Sequence, residues 1–361
     1  MAKAIVSKSK VVFRQSMDDF GRIMEMLRAK RYSRTYLLMG EEPYFIDRIS
    51  DYISENVLSE EEKSFNRTVL YGNETNVVDL IELCRGYPML SAYNVVVVKE
   101  AQRLRGIEQL VEYLKVPMDT TLLVLCYKEG NLDKRSALYK KLSETGTVFE
   151  SVRPRDYEIG TWILELFRNK GRSIEPKAVS MLVENLGTEL SKINNEVEKL
   201  FTRLAPEEKE IRAEHIEQNI GISKDFNNFE LTKALSERDA KKALLIVGHF
   251  AQNPKDNPFV VTIQALFSHF LRLFTLGIVI WNSKAKRAPM PGDAELMRLL
   301  KVSSAYFLKE YRQAVVHYNS TRSFAVLGLL REYDMKSKGI GGGTAGDGEL
   351  LKELVIKILA L

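Results

Sequence analysis

The turn after the first predicted strand is the place in the chain where residue spacing could bind phosphate. Residues 35–39, TYLLM, form a short apolar run, and Gly40 follows it directly. A phosphate loop of the form GxxxxGK[ST] needs glycines so that backbone amides can approach the phosphates, a lysine to balance their charge and a hydroxyl for magnesium. Gly40 matches the first glycine. The second glycine, the lysine and the hydroxyl are replaced by Phe45, Ile46 and Asp47.

Other residues of this loop also disfavour phosphate binding. Glu41 and Glu42 place negative charge where phosphates would lie, and Pro43 has no amide hydrogen to donate. We therefore predict a degenerate phosphate loop that binds no nucleotide. From the loop alone, an unrelated strand-to-helix turn is an equally good interpretation.

No other arrangement of side chains predicts catalysis or metal binding. The four histidines are widely separated, and the two cysteines, at positions 84 and 126, lie in apolar runs. We expect histidines at the surface or in helix packing, and buried reduced thiols. Glu100 could polarise a water, but without a lysine and a metal-bound phosphate a solvated helix start is the better interpretation. We predict no catalytic residue, no metal and no cofactor.

Length and composition indicate a globular protein of two or three domains. The chain has 361 residues, of which 45% are hydrophobic and 28% charged, with a net charge of +5. This charge permits nucleic acid or an acidic protein as a partner, but a dedicated DNA-binding domain usually has a denser basic patch. Residues 1–10 lack the apolar segment of a signal peptide. We predict a cytoplasmic location.

One apolar stretch raises the question of a membrane span. Residues 260–281 are long enough to cross a bilayer. They contain Gln264, His269 and Arg272, which are costly to place in lipid. We therefore expect a buried helix in a helical domain, and no membrane as a partner.

The hydrophobic pattern divides the chain into one α/β part and two helical parts. In residues 1–152, short apolar runs alternate with helical patterns, which predicts a mostly parallel sheet covered by helices. Residues 94–99, NVVVVK, are typical of a strand buried on both faces. After residue 154 no strand is expected. Residues 153–222 predict a bundle of three or four helices, and residues 223–361 predict a second helical domain.

Smaller signals locate element ends in the helical parts. Asp239 and Ser320 are suitable N-caps. Gly171 and Gly187 stand where helices are expected to end. The glycine-rich residues 339–348 predict a flexible loop before a last helix.

Six segments occur in order along nearly the whole chain and read YLLMGEEPYFID, CRGYPMLSAYNVVVVKE, TLLVLCYKEGNLDKRSALYKKL, GTELSKINNEVEKLF, FELTKAL and LREYDMKSKG. Together they resemble the delta subunit of the bacterial DNA polymerase III clamp loader. The resemblance implies a degenerate AAA+ domain over residues 1–152, a helical lid over residues 153–222 and a helical collar over residues 223–361 that joins a pentamer. The boundaries read from the hydrophobic pattern are the same.

The resemblance also implies a hydrophobic clamp-binding tip in the first domain. The matching residues, here called the tip, are Tyr87, Pro88, Met89 and Leu90. Proline ends the preceding helix, so that Met89 and Leu90 can project from a turn. The family often has a Leu-Phe pair here, and the Met-Leu pair leaves the depth of insertion open. The alternative is that both residues are core contacts leading into the valine-rich strand.

The function implied by the resemblance needs no chemistry on this chain. Such a subunit binds the ring-shaped sliding clamp, the beta subunit, and favours its open state. Other loader subunits, joined through the collar, hydrolyse ATP and load the clamp on primed DNA. The polymerase holoenzyme that such a subunit joins is a nucleotidyltransferase, but no activity is expected here. Alternatives are a divergent AAA+ ATPase and a stand-alone DNA-binding protein.

Basic residues near the end of the apolar stretch are candidate DNA contacts. They are Lys284, Lys286 and Arg287 in the sequence KAKR. Within an assembled complex they could face DNA phosphates. A solvated loop explains them equally well.

Overall fold

The computed structural model describes residues 11–205, 207–220, 225–286, 289–302, 305–340 and 345–361. The chain divides into two compact units, Met1–Arg155 and Asp156–Leu361. The boundary predicted after residue 152 falls close to this division. The boundary predicted after residue 222 lies outside the described residues, as does the segment tested for a signal peptide, so separate lid and collar domains stay a prediction.

The first unit alternates strands and helices. Its strands are β1 (Thr35–Gly40), β2 (Arg67–Tyr71), β3 (Asn94–Lys99), β4 (Thr121–Lys128) and β5 (Thr147–Ser151). Its helices are α1 (Phe13–Arg28), α2 (Pro43–Asn56), α3 (Glu60–Asn66), α4 (Val77–Arg85), α5 (Leu110–Leu114) and α6 (Ala137–Thr145). Short 3-10 turns at Ala101–Arg103 and Ile107–Gln109 precede α5.

The five strands form one parallel sheet in the order β2-β3-β4-β1-β5. The inner strands β3 and β4 are buried on both faces, because alternate side chains point to opposite sides and both sides are covered by helices. The predicted parallel sheet is therefore confirmed. Since all five strands run the same way, loops that follow strands lie at one edge of the sheet, and loops that precede strands lie at the opposite edge.

Three helices of this unit were not predicted from the sequence, namely α1, α3 and α6. The first of them is tied to the end of the sheet by Ser16. The Ser16 hydroxyl donates to the Glu150 carbonyl at 2.8 Å and accepts from the Val152 amide at 3.1 Å. This helix covers the β1–β5 side of the sheet, where Phe13 is buried.

The second unit is mainly helical. Its first helices and strands are α7 (Asp156–Asn169), β6 (Ser173–Ile174), α8 (Pro176–Leu186), α9 (Leu190–Arg203), β7 (Glu210–Ile211) and α10 (Ala213–Ile220). The helices that follow are α11 (Asn228–Ser236), α12 (Ala240–Gln252), α13 (Phe259–Lys286), α14 (Asp293–Leu300), α15 (Ala305–His317), α16 (Ser320–Ser337) and α17 (Asp347–Ala360).

Two expectations about this unit are wrong in detail. Strand structure does not end at residue 154, because β6 and β7 pair in parallel; two-residue strands are too short to show an alternating pattern. The N-cap of α16 is Asn319, whose side chain accepts from the Arg322 amide at 3.0 Å, and not Ser320. The predicted cap Asp239 does accept from the Lys242 amide, at 2.9 Å.

The long apolar helix α13 is the core helix of the second unit. It packs against α11, α14, α15, α16 and α17. Two of the three polar side chains that argued against a membrane span form hydrogen bonds within the unit: His269 Nε2 lies 2.9 Å from Ser236 Oγ, and Arg272 Nε donates to the Leu300 carbonyl at 3.1 Å. Burial, with Arg272 nearby, lowers the pKa of His269 to about 3. Among the described residues, this is the only helix long and apolar enough to cross a membrane.

A buried carboxylate joins α8, α11 and α12. Glu230 is 5% exposed and pairs with Lys177, 2.7 Å away, and with Lys242. Burial alone would raise the pKa of Glu230, but the hydrogen bonds from the two ammonium groups outweigh it, so the pKa lies below its usual value. A carboxyl group whose pKa is lowered by folding stabilises the fold above its unfolded pKa, and this contribution is lost as the pH falls.

We expect Glu230→Gln to lower the stability of the second unit at neutral pH by about 2 kcal/mol, because the partly exposed ammonium groups of Lys177 and Lys242 lose a buried counter-charge. The difference from wild type should begin to shrink as the pH falls below the unfolded pKa of about 4.3, where Glu230 of the unfolded chain becomes protonated, and should be lost below the lower pKa of the folded protein. Thermal unfolding of the whole protein between neutral and acidic pH measures both effects. The exposed Glu237→Gln is the control, and a pH-independent difference for Glu230→Gln would contradict the prediction.

Candidate functional site

The loop after β1 uses its glycine for backbone packing. Gly40 has φ of 132°, and its amide donates to the Gly130 carbonyl at 2.9 Å. A Cβ atom at this position would lie 1.9 Å from the Ser151 carbonyl oxygen. Glycine is therefore required here by the close approach of the end of β5.

Three backbone amides of this loop, those of Gly40, Glu41 and Tyr44, already have acceptors within the protein. The Glu41 amide donates to the Ser151 carbonyl at 3.0 Å, and the Ser151 hydroxyl donates to the Glu42 carbonyl at 2.7 Å. The Glu42 carboxylate, 5% exposed, accepts from the Tyr44 amide at 3.0 Å and caps α2. A helix N-terminus favours an anion, and here a carboxylate of the chain occupies the position that a phosphate would take.

The residues at the second glycine and lysine positions are part of the core. Phe45 is buried, and its ring packs against four others, with centroids 5.0 Å from Phe20, 5.3 Å from Tyr44, 6.0 Å from Phe13 and 6.4 Å from Phe149. Ile46 is completely buried. Neither side chain can be withdrawn to admit phosphate without opening the core beneath the loop.

The residue at the hydroxyl position takes part in an ion-pair cluster. Asp47 lies 2.7 Å from Lys128 Nζ at the end of β4 and 3.7 Å from Lys99 Nζ at the end of β3. Lys99 also pairs with Asp51 at 2.8 Å. Lysine ammonium groups thus balance the carboxylate in the position where an active relative would hold magnesium.

Glu100, with φ of 52°, precedes a 3-10 turn and pairs with Arg103 at 2.9 Å.

The tip lies at the other edge of the sheet. It follows α4 and precedes β3, whereas the degenerate loop follows β1. Tyr87 is 80% exposed, Met89 is 59% exposed, and Leu90 is fully exposed. Met89 and Leu90 therefore do not pack in the core. The alternative interpretation, in which both residues are core contacts, is wrong.

A buried side chain holds the backbone of the tip. Asn66, 1% exposed at the end of α3, accepts from the Met89 amide at 2.6 Å and donates to the Met89 carbonyl at 2.9 Å. Its amide nitrogen also lies 3.1 Å from the Glu62 carbonyl. The next residue, Leu90, has φ of 52°, in the left-handed region that leucine rarely adopts. The tip thus has a defined and disfavoured backbone conformation.

Sequence reasoning missed the contribution of α3. The signal that could have found this helix is a capping box, in which the Ser59 side chain accepts from the Glu62 amide and the Glu62 side chain accepts from the Ser59 amide. The helix ends on Asn66 and carries Phe65 beside it, 71% exposed. An exposed phenylalanine next to the residue that holds the tip enlarges the apolar surface in this region.

The other candidate residues form no part of the loop after β1 or of the tip. Lys284 is exposed near the end of α13. Arg287 and the side chain of Lys286 lie outside the described residues, so DNA contact stays a prediction.

The two cysteines are free and buried, and burial raises the pKa of Cys84 to about 12 and that of Cys126 to about 11. In the described part of the chain no three His, Cys, Asp or Glu side chains are placed to hold a metal.

Comparison with known proteins agrees with this architecture. Residues 36–152 match the family model described as DNA polymerase III, delta subunit. DNA polymerase III subunit delta of Bacillus subtilis is 27% identical over 248 residues, 66% of this chain and 70% of that protein. The probable DNA polymerase III subunit delta of Aquifex aeolicus is 24% identical over 258 residues, 67% of this chain and 70% of that protein.

A solved structure shows the same fold over nearly the whole chain. The Bacillus subtilis DNA clamp loader delta protein, YqeN, has a TM-score of 0.51 at 20% identity and covers 95% of this chain and 100% of its own. The chain thus has the predicted fold class, a parallel α/β unit followed by helices. Residues 36–152 match the family model of the DNA polymerase III delta subunit, and the resemblance carried by the six segments is confirmed.

We expect Gly40→Ala to lower the free energy of unfolding by about 2–4 kcal/mol, because the new Cβ collides with the end of β5 and the φ angle disfavours alanine. Urea unfolding measures the change. Gly130→Ala is the matched control on the facing segment, where a Cβ would meet nothing within 4 Å. Equal stability of the two variants would show that Gly40 is not structurally required.

The purified chain should show no saturable binding of ATP with magnesium in the micromolar range, because the loop amides are bonded and the lysine position is a buried isoleucine. Equilibrium dialysis measures this directly. An ATPase with an intact phosphate loop serves as the positive control. Saturable micromolar binding by this chain would establish the divergent ATPase as the correct interpretation.

Proposed function

We propose that this chain acts in DNA replication as the delta subunit of a clamp loader, binding the ring-shaped sliding clamp through the tip and favouring its open state. The family match and the names of the relatives support the role in the loader. The observation that supports the site is the full exposure of Leu90, next to the largely exposed Met89, in a defined turn. Apolar side chains fixed outside the core are typical of a partner-binding site.

The apolar side chains of the tip are large enough to contribute substantially to the free energy of binding a partner. Met89 and Leu90 each contribute about 1.5–3 kcal/mol when fully buried in a partner pocket. Methionine adapts to an irregular pocket, which suits a departure from the family's usual pair. Tyr87, 80% exposed, adds aromatic area beside them.

Clamp opening then follows from differential affinity. A ligand shifts a closed–open equilibrium only by the difference between its affinities for the two states. Moving such an equilibrium from 1:99 to 99:1 takes about 5.5 kcal/mol. Met89 and Leu90 together supply about 3–6 kcal/mol if the closed clamp offers no complete pocket. Binding energy of this size biases the clamp toward opening without chemistry on this chain, while ATP bound to neighbouring subunits controls access to the tip.

The helical part of the chain is proposed to hold the loader together. In this proposal residues 153–222 are the lid and residues 223–361 are the collar that contacts other loader subunits. Exposed apolar residues on the outer side of α13, such as Phe267, Leu271 and Trp281, support a helix-packing partner there. The basic group at residues 284–287 is proposed to face primed DNA in the assembled complex, in the cytoplasm, with no membrane as a partner.

Replacing both Met89 and Leu90 by alanine should reduce clamp binding by at least about a hundredfold, because about 3 kcal/mol or more of apolar burial is lost. Surface-immobilised clamp from the same organism, without ATP, measures the affinity. The free energy of unfolding should be unchanged within error, because both side chains are exposed.

A matched control is Val78→Ala, which removes a 56% exposed apolar side chain at the other end of α4. This variant should bind the clamp as the wild type does. Undiminished binding by the Met89–Leu90 double variant would remove the tip from the proposal. Absence of clamp binding by the wild type, or tight and steeply salt-dependent DNA binding by the isolated chain, would contradict the proposed function itself.

A further inference from the structure

Two helices cooperate to shape the tip, although only one precedes it in sequence. The tip follows α4, but its backbone is bonded to the end of α3. Both backbone groups of Met89 pair with the Asn66 side chain, at 2.6 Å and 2.9 Å. A side-chain amide that meets an N–H and a C=O of one residue fixes the orientation of that peptide segment, as a neighbouring strand would.

A second tether joins the same two segments. The carboxylate of Glu62 on α3 accepts hydrogen bonds from the Ser59 amide, at 2.8 Å, and from the Ser91 side chain. These bonds, the one from the Ser59 amide foremost, lower the pKa of Glu62. The Ser91 hydroxyl oxygen in turn accepts from the Tyr93 amide at 3.3 Å. Residues on both sides of Leu90 are therefore held by α3.

The tethers matter because the tip has no regular structure of its own. Residues 86–93 contain neither helix nor strand. Leu90 has φ of 52°, a conformation that leucine leaves unless neighbouring bonds hold it there. A free turn would populate several conformations, of which one presents Leu90 as seen here.

We propose that Asn66 is a positioning residue that pre-organises the tip for its partner. The inference rests on the proposed clamp-binding function of Met89 and Leu90. Asn66 is 1% exposed, so it acts through the backbone of Met89 and not by touching the clamp. When only a fraction of molecules has the competent conformation, the apparent affinity falls in proportion to that fraction.

Loss of pre-organisation and loss of a direct contact with the clamp should change different rate constants. In Asn66→Ala the rate constant for association with the clamp should fall about tenfold while dissociation is unchanged, because fewer free molecules present a competent tip. Leu90→Ala should instead accelerate dissociation, because it removes a contact in the complex. Binding kinetics on immobilised clamp separate the two. Hydrogen exchange of the Met89 amide should become faster in Asn66→Ala.

The matched control is Asn56→Ala, in which an exposed asparagine loses a hydrogen bond to the Tyr52 carbonyl at 3.0 Å. It should bind as the wild type does. Unchanged clamp kinetics in folded Asn66→Ala, or a loss seen only in dissociation, would overturn the inference while leaving the proposed function intact. Failure of the wild type to bind would instead overturn the proposed function.

Folding of each variant is checked by circular dichroism. If Asn66→Ala does not fold, Ser91→Ala tests the same idea, since it removes the second tether and leaves the buried asparagine in place. Slower association of Ser91→Ala would then support pre-organisation by α3. Unchanged association would overturn it.

Discussion

The parallel direction of all five strands is the constraint on which the arrangement of the first unit depends. A parallel sheet has two different edges, one where strands end and one where they begin. The degenerate loop after β1 lies at the first edge, and the tip before β3 lies at the second. Side chains fill the loop at the first edge, whereas the exposed tip lies at the second edge.

At the edge where strands end, the loop residues that differ from those of a phosphate loop have structural partners. Glu42 caps α2, Phe45 packs among aromatic rings, and Asp47 pairs with Lys99 and Lys128. Each of these contacts uses a group or a space that phosphate or magnesium would need. The residues that oppose nucleotide binding are thus the same ones that stabilise the loop. A substitution that favoured phosphate binding would also remove a stabilising contact.

The sheet, its strands and the helical second unit could be predicted from the sequence because apolar runs and helical periodicity extend over many residues. The character of the loop was readable for a similar reason, since Phe45, Ile46 and Asp47 differ in type from the residues that the motif needs. The role of Asn66 could not be predicted, because it depends on contact with Met89 across 23 positions of sequence. Nor could β6 and β7, whose pairing has no local pattern.

The buried ring of Phe45 has an evolutionary consequence. A single change to glycine at this position would open a cavity costing about 3–5 kcal/mol before any phosphate contact was gained, because Ile46 would still lack a charge and the loop amides would still be bonded. Each single substitution towards a nucleotide site would therefore lower the stability of the protein without adding affinity for nucleotide. The aromatic cluster thus opposes a stepwise conversion of this loop into a nucleotide site.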